Sequence, residues 1–125
     1  MKVAELMQTN LRTISTDATI VDAVVALAEA RVSALPVIDR FGRSVGVLST
    51  REILKAESEG TSTDARVLEI MASWPTTIDP DLEVRQAARE MLYLNVQRLF
   101  VEYDGALVGV ISQTDIVGAV ATAEV

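Results

Sequence analysis

The sequence contains no cysteine and no histidine among its 125 residues. This composition excludes a disulfide framework, a Cys/His metal cluster and a nucleophile activated by an imidazole. The first residues contain no apolar core of signal-peptide length, and no apolar run approaches the roughly 18 residues of a membrane span. We therefore expect a cytoplasmic protein with no membrane partner, no metal and no catalytic cofactor.

Acidic residues outnumber basic ones, 18 to 11, which gives a formal net charge of −7. A protein of this charge repels a phosphate backbone, so we expect no nucleic-acid partner. Half of the residues are hydrophobic. A chain of this length and composition has enough apolar surface to bury a core, so disorder is excluded.

An internal repeat organises the chain. At an offset of 64, and of 63 after one deletion in a turn, 17 residues are identical over about 55 aligned positions. The matched positions include glycine and serine residues that share one register, which argues against chance similarity. The polar run from Glu57 to Asp64 separates the copies. We therefore predict two domains, repeat 1 (1–62) and repeat 2 (63–125).

Each repeat has the same pattern of predicted elements. A short amphipathic opening precedes a strand, predicted at Leu11–Ser15 and at Thr76–Asp79. A helix follows, with a capping box at Thr19 and Asp22 in repeat 1 and an end at Asn95 in repeat 2. A hairpin, with the tight-turn pair Asp104 and Gly105 in repeat 2, and a last helix complete the unit. The fold class is mixed α/β (α+β), as two β-α-β-β-α units, and we expect them to pack with pseudo-twofold symmetry and paired clefts.

The most informative segments are Gly46 to Glu52 (GVLSTRE) and Gly109 to Asp115 (GVISQTD), in which a strand leads directly into a helix. A serine followed three residues later by a carboxylate is the pattern of a helix-capping box. The same corner also offers an anion a hydroxyl group, free N–H groups and the positive end of a helix dipole. A carboxylate there suits the two hydroxyls of a ribose. Both interpretations remain open at this point.

The duplicated unit, the ALPVID string at 34–39 and two copies of the Gly-to-acid motif resemble a pair of cystathionine-β-synthase-type (CBS) domains, or Bateman module. The resemblance covers the chain from Val3 to about Val120. It implies binding of an adenosine-containing ligand such as AMP, ADP, ATP, NAD or S-adenosylmethionine. It also implies that occupancy is relayed to an attached or partner protein.

Carried over position by position, the resemblance implies three groups of ligand-binding residues in each repeat. In repeat 2 these are Thr77, Ile78 and Asp79 around the adenine, Arg98, Leu99 and Phe100 before the hairpin, and Ser112, Thr114 and Asp115 at the corner. In repeat 1 they are Thr13, Ile14 and Ser15, then Ala34, Leu35 and Pro36, then Ser49, Arg51 and Glu52. The acid of each set is expected to bind the ribose. Two departures from the family pattern are Glu52, which is one methylene longer than the usual Asp, and Phe100, which replaces a Pro.

Charge and helix composition refine these expectations. Repeat 1 has a net charge of −1 and repeat 2 of −6. Polyphosphates should therefore prefer repeat 1, whose available cations are Arg12, Arg31, Arg40, Arg43, Arg51 and Lys55. Repeat 2 has the more typical acid for a ribose but the less favourable charge for phosphates. For this reason we favour AMP over ATP. The helix at 20–28 and the last helix are apolar nearly all round, which predicts a homodimer; burial inside the monomer is the alternative.

The leading hypothesis is a stand-alone, non-catalytic sensor that binds an adenine nucleotide and acts through its dimer geometry or a separate effector protein. The alternative is a structural interaction module whose clefts are closed by side chains such as Phe100. An enzyme that uses Asp115 or Glu52 as a general base is the weakest hypothesis, because no second catalytic group lies nearby in the sequence. We assign no catalytic residues.

Overall fold

The structure is a computed structural model that describes residues 1–73 and 76–122. Both repeats have the same order of elements. In chain order these are α1 (Val3–Leu6), β1 (Ile14–Ser15), α2 (Ile20–Ala30), β2 (Ala34–Ile38), β3 (Ser44–Ser49), α3 (Thr50–Ser58), α4 (Val67–Ile70), β4 (Thr77–Ile78), α5 (Val84–Leu94), β5 (Arg98–Tyr103), β6 (Ala106–Ser112) and α6 (Gln113–Val120).

Each repeat forms its own three-stranded sheet. In repeat 1, β1 pairs with β2 in parallel and β2 pairs with β3 in antiparallel orientation. In repeat 2, β4, β5 and β6 pair in the same way. The parallel pair is joined by a helix and the antiparallel pair by a tight turn, as such connections require. The predicted mixed α+β class, with one β-α-β-β-α unit in each repeat, is confirmed.

The compact units cross the limits of the sequence repeats, because the two opening helices are exchanged. Unit 1 combines Met1–Leu11 with the chain from Thr76 onward, and unit 2 begins at Arg12 and takes up the stretch between them. In unit 1, Val3 N donates to Leu82 O at 2.8 Å; in unit 2 the equivalent Val67 N donates to Ala18 O at 2.8 Å. Each opening helix therefore packs with the elements of the other repeat.

A glycine in the last strand of each repeat allows this exchange. The chain leaving α4 pairs with β3 through Val47 and Ala72, and the chain leaving α1 pairs with β6 through Gln8 and Val110. A Cβ atom at Gly46 would lie 2.5 Å from the carbonyl oxygen of Ala72. A Cβ at Gly109 would lie 2.5 Å from Met7 Sδ and 3.0 Å from Gln8 O. Only a residue without a side chain permits this approach.

Each unit has its own hydrophobic core, made by the inner face of its sheet, the long helix and the exchanged helix. The unit 2 core includes Leu35, Val37, Leu48 and Val67, all at most 1% exposed. The unit 1 core has the equivalent residues Leu99, Val101, Ile111 and Val3. Burial of Val3 and Val67, one from each opening helix, explains why helices of four residues persist, since helices this short are not stable in isolation.

The predicted helix ends of the long helices are confirmed. Thr19 N donates to Asp22 Oδ2 at 3.0 Å and Asp22 N donates to Thr19 Oγ1 at 3.2 Å, which is the reciprocal capping box. Helix α5 ends at Asn95 in the left-handed conformation, with φ 55°. The equivalent residue in repeat 1 is Arg31, also left-handed with φ 54°. The backbone geometry is thus conserved between the repeats although the residue that adopts it is not.

The hairpins also match the prediction, whereas the first strand of each repeat is shorter than predicted. The turn between β5 and β6 is Asp104 and Gly105, both with positive φ, as a two-residue hairpin requires. The first strands are limited to Ile14–Ser15 and Thr77–Ile78 rather than Leu11–Ser15 and Thr76–Asp79. None of the helices that the structure describes is long and apolar enough to cross a membrane.

We predict that Gly46→Ala lowers the free energy of unfolding by about 1–3 kcal/mol, because the new methyl group must displace a backbone carbonyl. Gly118→Ala is the matched control. This glycine lies in α6 with no atom within 4 Å of an added Cβ, so alanine should raise the free energy of unfolding by up to about 1 kcal/mol. Urea denaturation of both variants measures the difference, and equal effects would contradict the close-approach explanation.

A pH dependence follows from the contact between Lys2 and Glu83. Lys2 Nζ lies 3.1 Å from Glu83 Oε1 and the amino group of Met1 lies 3.3 Å from Oε2. The hydrogen bond from Lys2, then that from the Met1 amino group, lowers the pKa of Glu83 from its ordinary value of 4.5. Because the folded-state pKa is the lower one, this contribution to stability is present above pH 4.5 and is lost as the pH falls through the folded-state pKa.

We therefore predict that Glu83→Gln destabilises the protein near neutral pH and that the difference from the parent disappears in acid. The measurement is a series of urea denaturations from pH 3 to pH 7. Lys2→Met should give a profile of the same shape with a smaller amplitude, since it removes one of the two cations that face Glu83 and leaves the Met1 amino group. A destabilisation that persists unchanged in acid would show that the ion pair is not its cause.

Candidate functional site

The strand register places the three predicted segments of each repeat on adjacent strands of one sheet. In repeat 1, Ile14 is paired with Val37, and Ala34 is paired with Ser49 at the end of β3. In repeat 2, Thr77 is paired with Phe100, and Arg98 is paired with Ser112. The start of the hairpin and the start of the last helix are therefore neighbours, and the parallel strand pairs two to three residues further along the middle strand. Each unit has one such strand-to-helix corner.

The corner of repeat 2 is a reciprocal capping box. Ser112 N donates to Asp115 Oδ2 at 2.9 Å, and Asp115 N donates to Ser112 Oγ at 3.1 Å. Both residues are half-buried. The second carboxylate oxygen, Oδ1, accepts from Gln8 Nε2 at 3.3 Å. The carboxylate is thus fixed by the backbone on one side and by a flexible side chain on the other, and the second contact can be exchanged for a ligand hydroxyl.

The corner of repeat 1 differs because the acid is longer. A single oxygen, Glu52 Oε1, accepts from Ser49 N at 2.8 Å and from Ser49 Oγ at 2.7 Å. The Ser49 hydroxyl also accepts from Arg51 N at 3.2 Å. Glu52 therefore folds back onto its own cap, and the Ser49 hydroxyl proton already has an acceptor. The polar groups of this corner are therefore more fully hydrogen-bonded to one another than those at the corner of repeat 2.

The first N–H group of α3 and that of α6 also donate hydrogen bonds to the chain before the hairpin. Thr50 N donates to Ser33 O and Gln113 N donates to Gln97 O, at 3.0 Å and 2.9 Å. Together with the bonds from Arg51 N to Ser49 Oγ and from Asp115 N to Ser112 Oγ, two first-turn N–H groups are therefore occupied in each repeat. The remaining N–H groups and the helix dipole are what each corner offers to an anion.

The predicted adenine-lining residues divide between the core and the surface. Ile14 and Ile78 are each 8% exposed and belong to the hydrophobic cores, so their side chains pack inward. Their neighbours Ser15 and Asp79 are exposed and accept backbone hydrogen bonds from Asp17 and Asp81. The isoleucine side chains are therefore not available to cover a base, and what this segment offers to a ligand is its backbone groups. Thr13 and Thr77 are half-buried.

The segments before the hairpins place their side chains on alternate sheet faces. Leu35 and Leu99 are core residues, whereas Pro36 and Phe100 are buried on the opposite face. Phe100 is 8% exposed, so its ring is packed and is not an open platform for a base. Arg98 is half-buried and forms no ion pair within 1–73 and 76–122. Ala34 is half-buried beside Ser49.

A polar hollow of about 500 Å³ lies beside Asp115 in unit 1. Thr114 and Asp115 line it together with Glu5, Gln8 and other residues of the opening segment, whereas Thr77 and Arg98 do not. The sequence prediction missed Glu5 and Gln8. The repeat offset aligns Glu5 with an identical residue, Glu69, and could have indicated it. The exchange of opening helices, which brings Glu5 and Gln8 to Asp115, cannot be inferred from the sequence pattern.

An equivalent hollow of about 500 Å³ lies beside Glu52 in unit 2. Its lining includes Lys55, Glu59 and Glu69. Alanine at position 72 replaces the glutamine of the other repeat, so no amide here corresponds to Gln8. The two hollows are related by the repeat but differ in charge and in the group that faces the acid. Among the described residues, no three acidic side chains come close enough to hold a metal ion.

Some of the basic residues of repeat 1 already have partners within the chain. Arg12 Nη2 lies 3.0 Å from Glu29 Oε2, and the Arg43 guanidinium lies 5.8 Å from the centroid of the Phe41 ring. Arg51 and Lys55 are exposed at the corner and at the hollow beside Glu52. These two cations, rather than Arg12 or Arg43, are placed to meet a phosphate near Glu52.

Comparison with known proteins identifies the family. The CBS domain model matches residues 3–59 and 67–122, which are the two repeats and almost the whole chain. The chain belongs to the CBS domain family and contains a tandem pair of these domains, as the sequence resemblance implied.

Solved CBS domain structures share the fold. The structure of CBSX2 in complex with AMP is 27% identical, with a TM-score of 0.86, and the match covers 99% of this chain and 98% of that one. The CBS domain pair of protein MJ0100, in complex with 5′-methylthioadenosine and S-adenosyl-L-methionine, is 23% identical with a TM-score of 0.84, and covers 99% and 98%. Both of these structures were solved with adenosine-containing ligands.

Among curated proteins, MK0525 of Methanopyrus kandleri is 24% identical over 119 residues, which are 93% of this chain. The match spans 61% of that protein, so this chain corresponds to only part of its relative's length.

We predict that Ser112→Ala lowers the free energy of unfolding by about 0.5–2 kcal/mol, because the N–H of Asp115 loses its acceptor at the start of α6. Thermal or urea denaturation measures the loss. Ser58→Ala is the control, because this serine lies at the last turn of α3, where its hydroxyl donates to Lys55 O and caps no N–H group. An equal loss in both variants would contradict the capping role.

Proposed function

We propose that this chain is a cytoplasmic regulatory module that binds an adenosine-containing nucleotide, with AMP favoured, at its strand-to-helix corners. Occupancy is relayed through the geometry of a homodimer or to a separate effector protein, and the module itself has no catalytic role. The observation that carries the proposal is the capped acid of each corner, which lies beside the start of the hairpin.

The residues of repeat 2 supply the contacts that such a ligand needs. Asp115 keeps one carboxylate oxygen on its own cap and presents the other to a ribose hydroxyl in place of Gln8. Thr114 and Arg98 offer a hydroxyl and a half-buried guanidinium for a phosphate. The backbone of Thr77 and Asp79 offers donors and acceptors for the edge of a base. The remaining predicted residues of this corner, Ile78, Leu99 and Phe100, shape it from within the packed interior.

Charge supports a ligand with few phosphates. Unit 1 carries 4 basic and 9 acidic residues, a net charge of −5, whereas unit 2 carries 7 and 9, a net charge of −2. A triphosphate beside Asp115 would be repelled by this field, whereas a monophosphate loses less. The resemblance to CBSX2, a structure solved with AMP at 27% identity over nearly the whole chain, supports the same choice.

Gln8 provides a route for the relay. A ribose that binds Asp115 Oδ1 displaces the amide of Gln8, whose backbone is paired with Val110 in β6. The exchanged opening segment therefore detects occupancy directly. A change in its position reaches the exposed face of unit 1 through α1 and α6, which both line the hollow.

One alternative has specific support. A structural interaction module with closed corners is favoured by the packed ring of Phe100 and by the self-satisfied carboxylate of Glu52. It requires no ligand at either corner. The two functions differ in one measurable respect, which is whether any nucleotide binds.

We predict that isothermal titration calorimetry with AMP, ADP, ATP, NAD and S-adenosylmethionine detects binding, tightest for AMP. Asp115→Asn should weaken AMP binding at least about tenfold, because a charge-assisted hydrogen bond contributes about 1.5–3 kcal/mol. The asparagine oxygen still accepts from Ser112 N, so the cap and the fold are retained.

Glu52→Gln is the matched control and should change AMP affinity less. Mass spectrometry of the small molecules that co-purify with the native protein identifies the ligand independently. Absence of heat with all five compounds, together with an empty protein by mass spectrometry, would reject the sensor and support the structural module. Equal losses in the two variants would reject the assignment of the ligand to Asp115.

A further inference from the structure

The hairpin between β2 and β3 carries an exposed aromatic ring between two arginines. Residues 39–43 have the sequence DRFGR, and we call them the basic tip. Phe41 is 75% exposed, and Arg40 and Arg43 are both exposed. Neither arginine forms an ion pair with any residue that the structure describes. The basic tip therefore presents to solvent an apolar ring and two cations that are free to bind a carboxylate.

Only repeat 1 has a turn of this composition. The corresponding hairpin of repeat 2 has one residue fewer, and its turn is Asp104 and Gly105, followed by Ala106. That turn contains no arginine and no aromatic residue. The strands of the two hairpins nevertheless pair in the same way. Because a shorter turn closes the same pair of strands, the fold of the repeat does not require the ring and the cations of the basic tip.

Hydrogen bonds hold the backbone of the basic tip in one arrangement. Asp39 Oδ1 accepts from Phe41 N at 2.9 Å and from Arg43 N at 3.0 Å. In the backbone, Asp39 N donates to Arg43 O at 2.9 Å and Gly42 N donates to Asp39 O at 3.0 Å. The Arg43 guanidinium lies over the Phe41 ring, 5.8 Å from its centroid. A partner therefore binds a turn that is already ordered, which lowers the entropic cost of association.

We propose that the basic tip docks a partner protein, with Phe41 in an apolar pocket of the partner and with Arg40 and Arg43 paired to carboxylates around that pocket. Aromatic residues and arginine are enriched in protein interfaces relative to the rest of the surface. An arginine can donate two parallel hydrogen bonds to one carboxylate. The partner segment is therefore an acidic peptide that also contains apolar side chains.

The charge of the protein favours a short acidic peptide over a larger polyanion. At physiological salt, exposed charges more than about 8 Å apart are largely screened from each other. A peptide on the basic tip is therefore affected mainly by Arg40 and Arg43. A nucleic-acid strand or an anionic bilayer extends well beyond that length and also meets the acidic residues, which outnumber the basic ones by 18 to 11 in the whole chain. Both are repelled outside the basic tip.

The inference goes beyond the proposed function and does not depend on nucleotide binding. A sensor that acts on an effector and a structural interaction module both need a surface that binds a partner. The basic tip precedes β3, whereas the corner residue Ser49 ends it. A substitution in the basic tip therefore leaves the corner of repeat 1 unchanged. Failure of peptide binding is for this reason distinct from failure of the calorimetry.

Selection from a phage-displayed library of short random peptides tests the proposal. The library is selected in parallel on the immobilised parent protein and on Phe41→Ala. We expect the peptides enriched on the parent to contain more aspartate and glutamate than the unselected library, together with aromatic or aliphatic residues. The same peptides should not be enriched on Phe41→Ala. Absence of any enriched peptide, or enrichment of basic or uncharged peptides, would overturn the proposal.

The affinity of one selected peptide, labelled with fluorescein and measured by anisotropy, gives the contribution of single residues. Phe41→Ala should weaken binding at least about tenfold, and Arg40→Gln about threefold. Tyr103→Ala is the matched control, because Tyr103 is a 58% exposed aromatic residue next to the hairpin turn of repeat 2. It should leave the affinity unchanged. Circular dichroism should show the parent fold in all three, and equal losses in Phe41→Ala and Tyr103→Ala would overturn the assignment to the basic tip.

Two further measurements test the order of the basic tip and the class of its partner. Asp39→Ala removes the acceptor of two backbone N–H groups and should weaken peptide binding, whereas Asp39→Asn keeps an acceptor oxygen and should retain it. Peptide binding by Asp39→Ala equal to that of the parent would overturn the role of the ordered turn. Oligothymidylate and vesicles that contain phosphatidylserine are the polyanion probes. Binding of either that is lost in Phe41→Ala would overturn the choice of an acidic peptide.

Discussion

The close approach of a returning chain segment to a strand glycine is the constraint on which the rest of the structure depends. The segment that leaves an opening helix lies so near the last strand that a Cβ atom would lie 2.5 Å from a backbone carbonyl at Gly46, and at Gly109 would displace Met7 Sδ and lie 3.0 Å from Gln8 O. This contact lets Val47 pair with Ala72 and Val110 with Gln8. It closes each core with a helix from the other repeat, and it carries the opening segment to the acid of the corner. The closed cores, the exchange of the opening helices and the position of the candidate site therefore all depend on this close contact.

Much of the fold could be predicted from particular residues. The capping pairs Thr19 with Asp22 and Ser112 with Asp115, and the turn at Asp104 and Gly105, have local physical causes that the structure confirms. The short first strands could not be predicted in length, because pairing partners rather than propensity decide where a strand of two residues ends. The exchange of opening helices was also beyond reach, since Val3 and Val67 present the same apolar face to either repeat.

The candidate site was predictable in outline and not in detail. The repeat offset placed Asp115 and Glu52 at equivalent corners, and their shared capping role is confirmed by their hydrogen bonds. The inward packing of Ile14 and Ile78 could have been inferred from strand alternation, because each follows a half-buried threonine. The contact between Gln8 and Asp115 spans most of the chain and joins two side chains that no local pattern relates. Ligand binding at the corners stays a prediction.

The exchange of opening helices also orders events during synthesis. Unit 2 is one uninterrupted stretch, so all of its strands are synthesised before β4. Unit 1 joins the first eleven residues to the last fifty, and its sheet cannot be completed until β6 emerges. During that interval the apolar face of α1 has no partner, because local contacts form early and distant ones wait for the chain. In the order of synthesis, unit 2 is therefore complete before unit 1, and α1 is the element that waits longest for its partners.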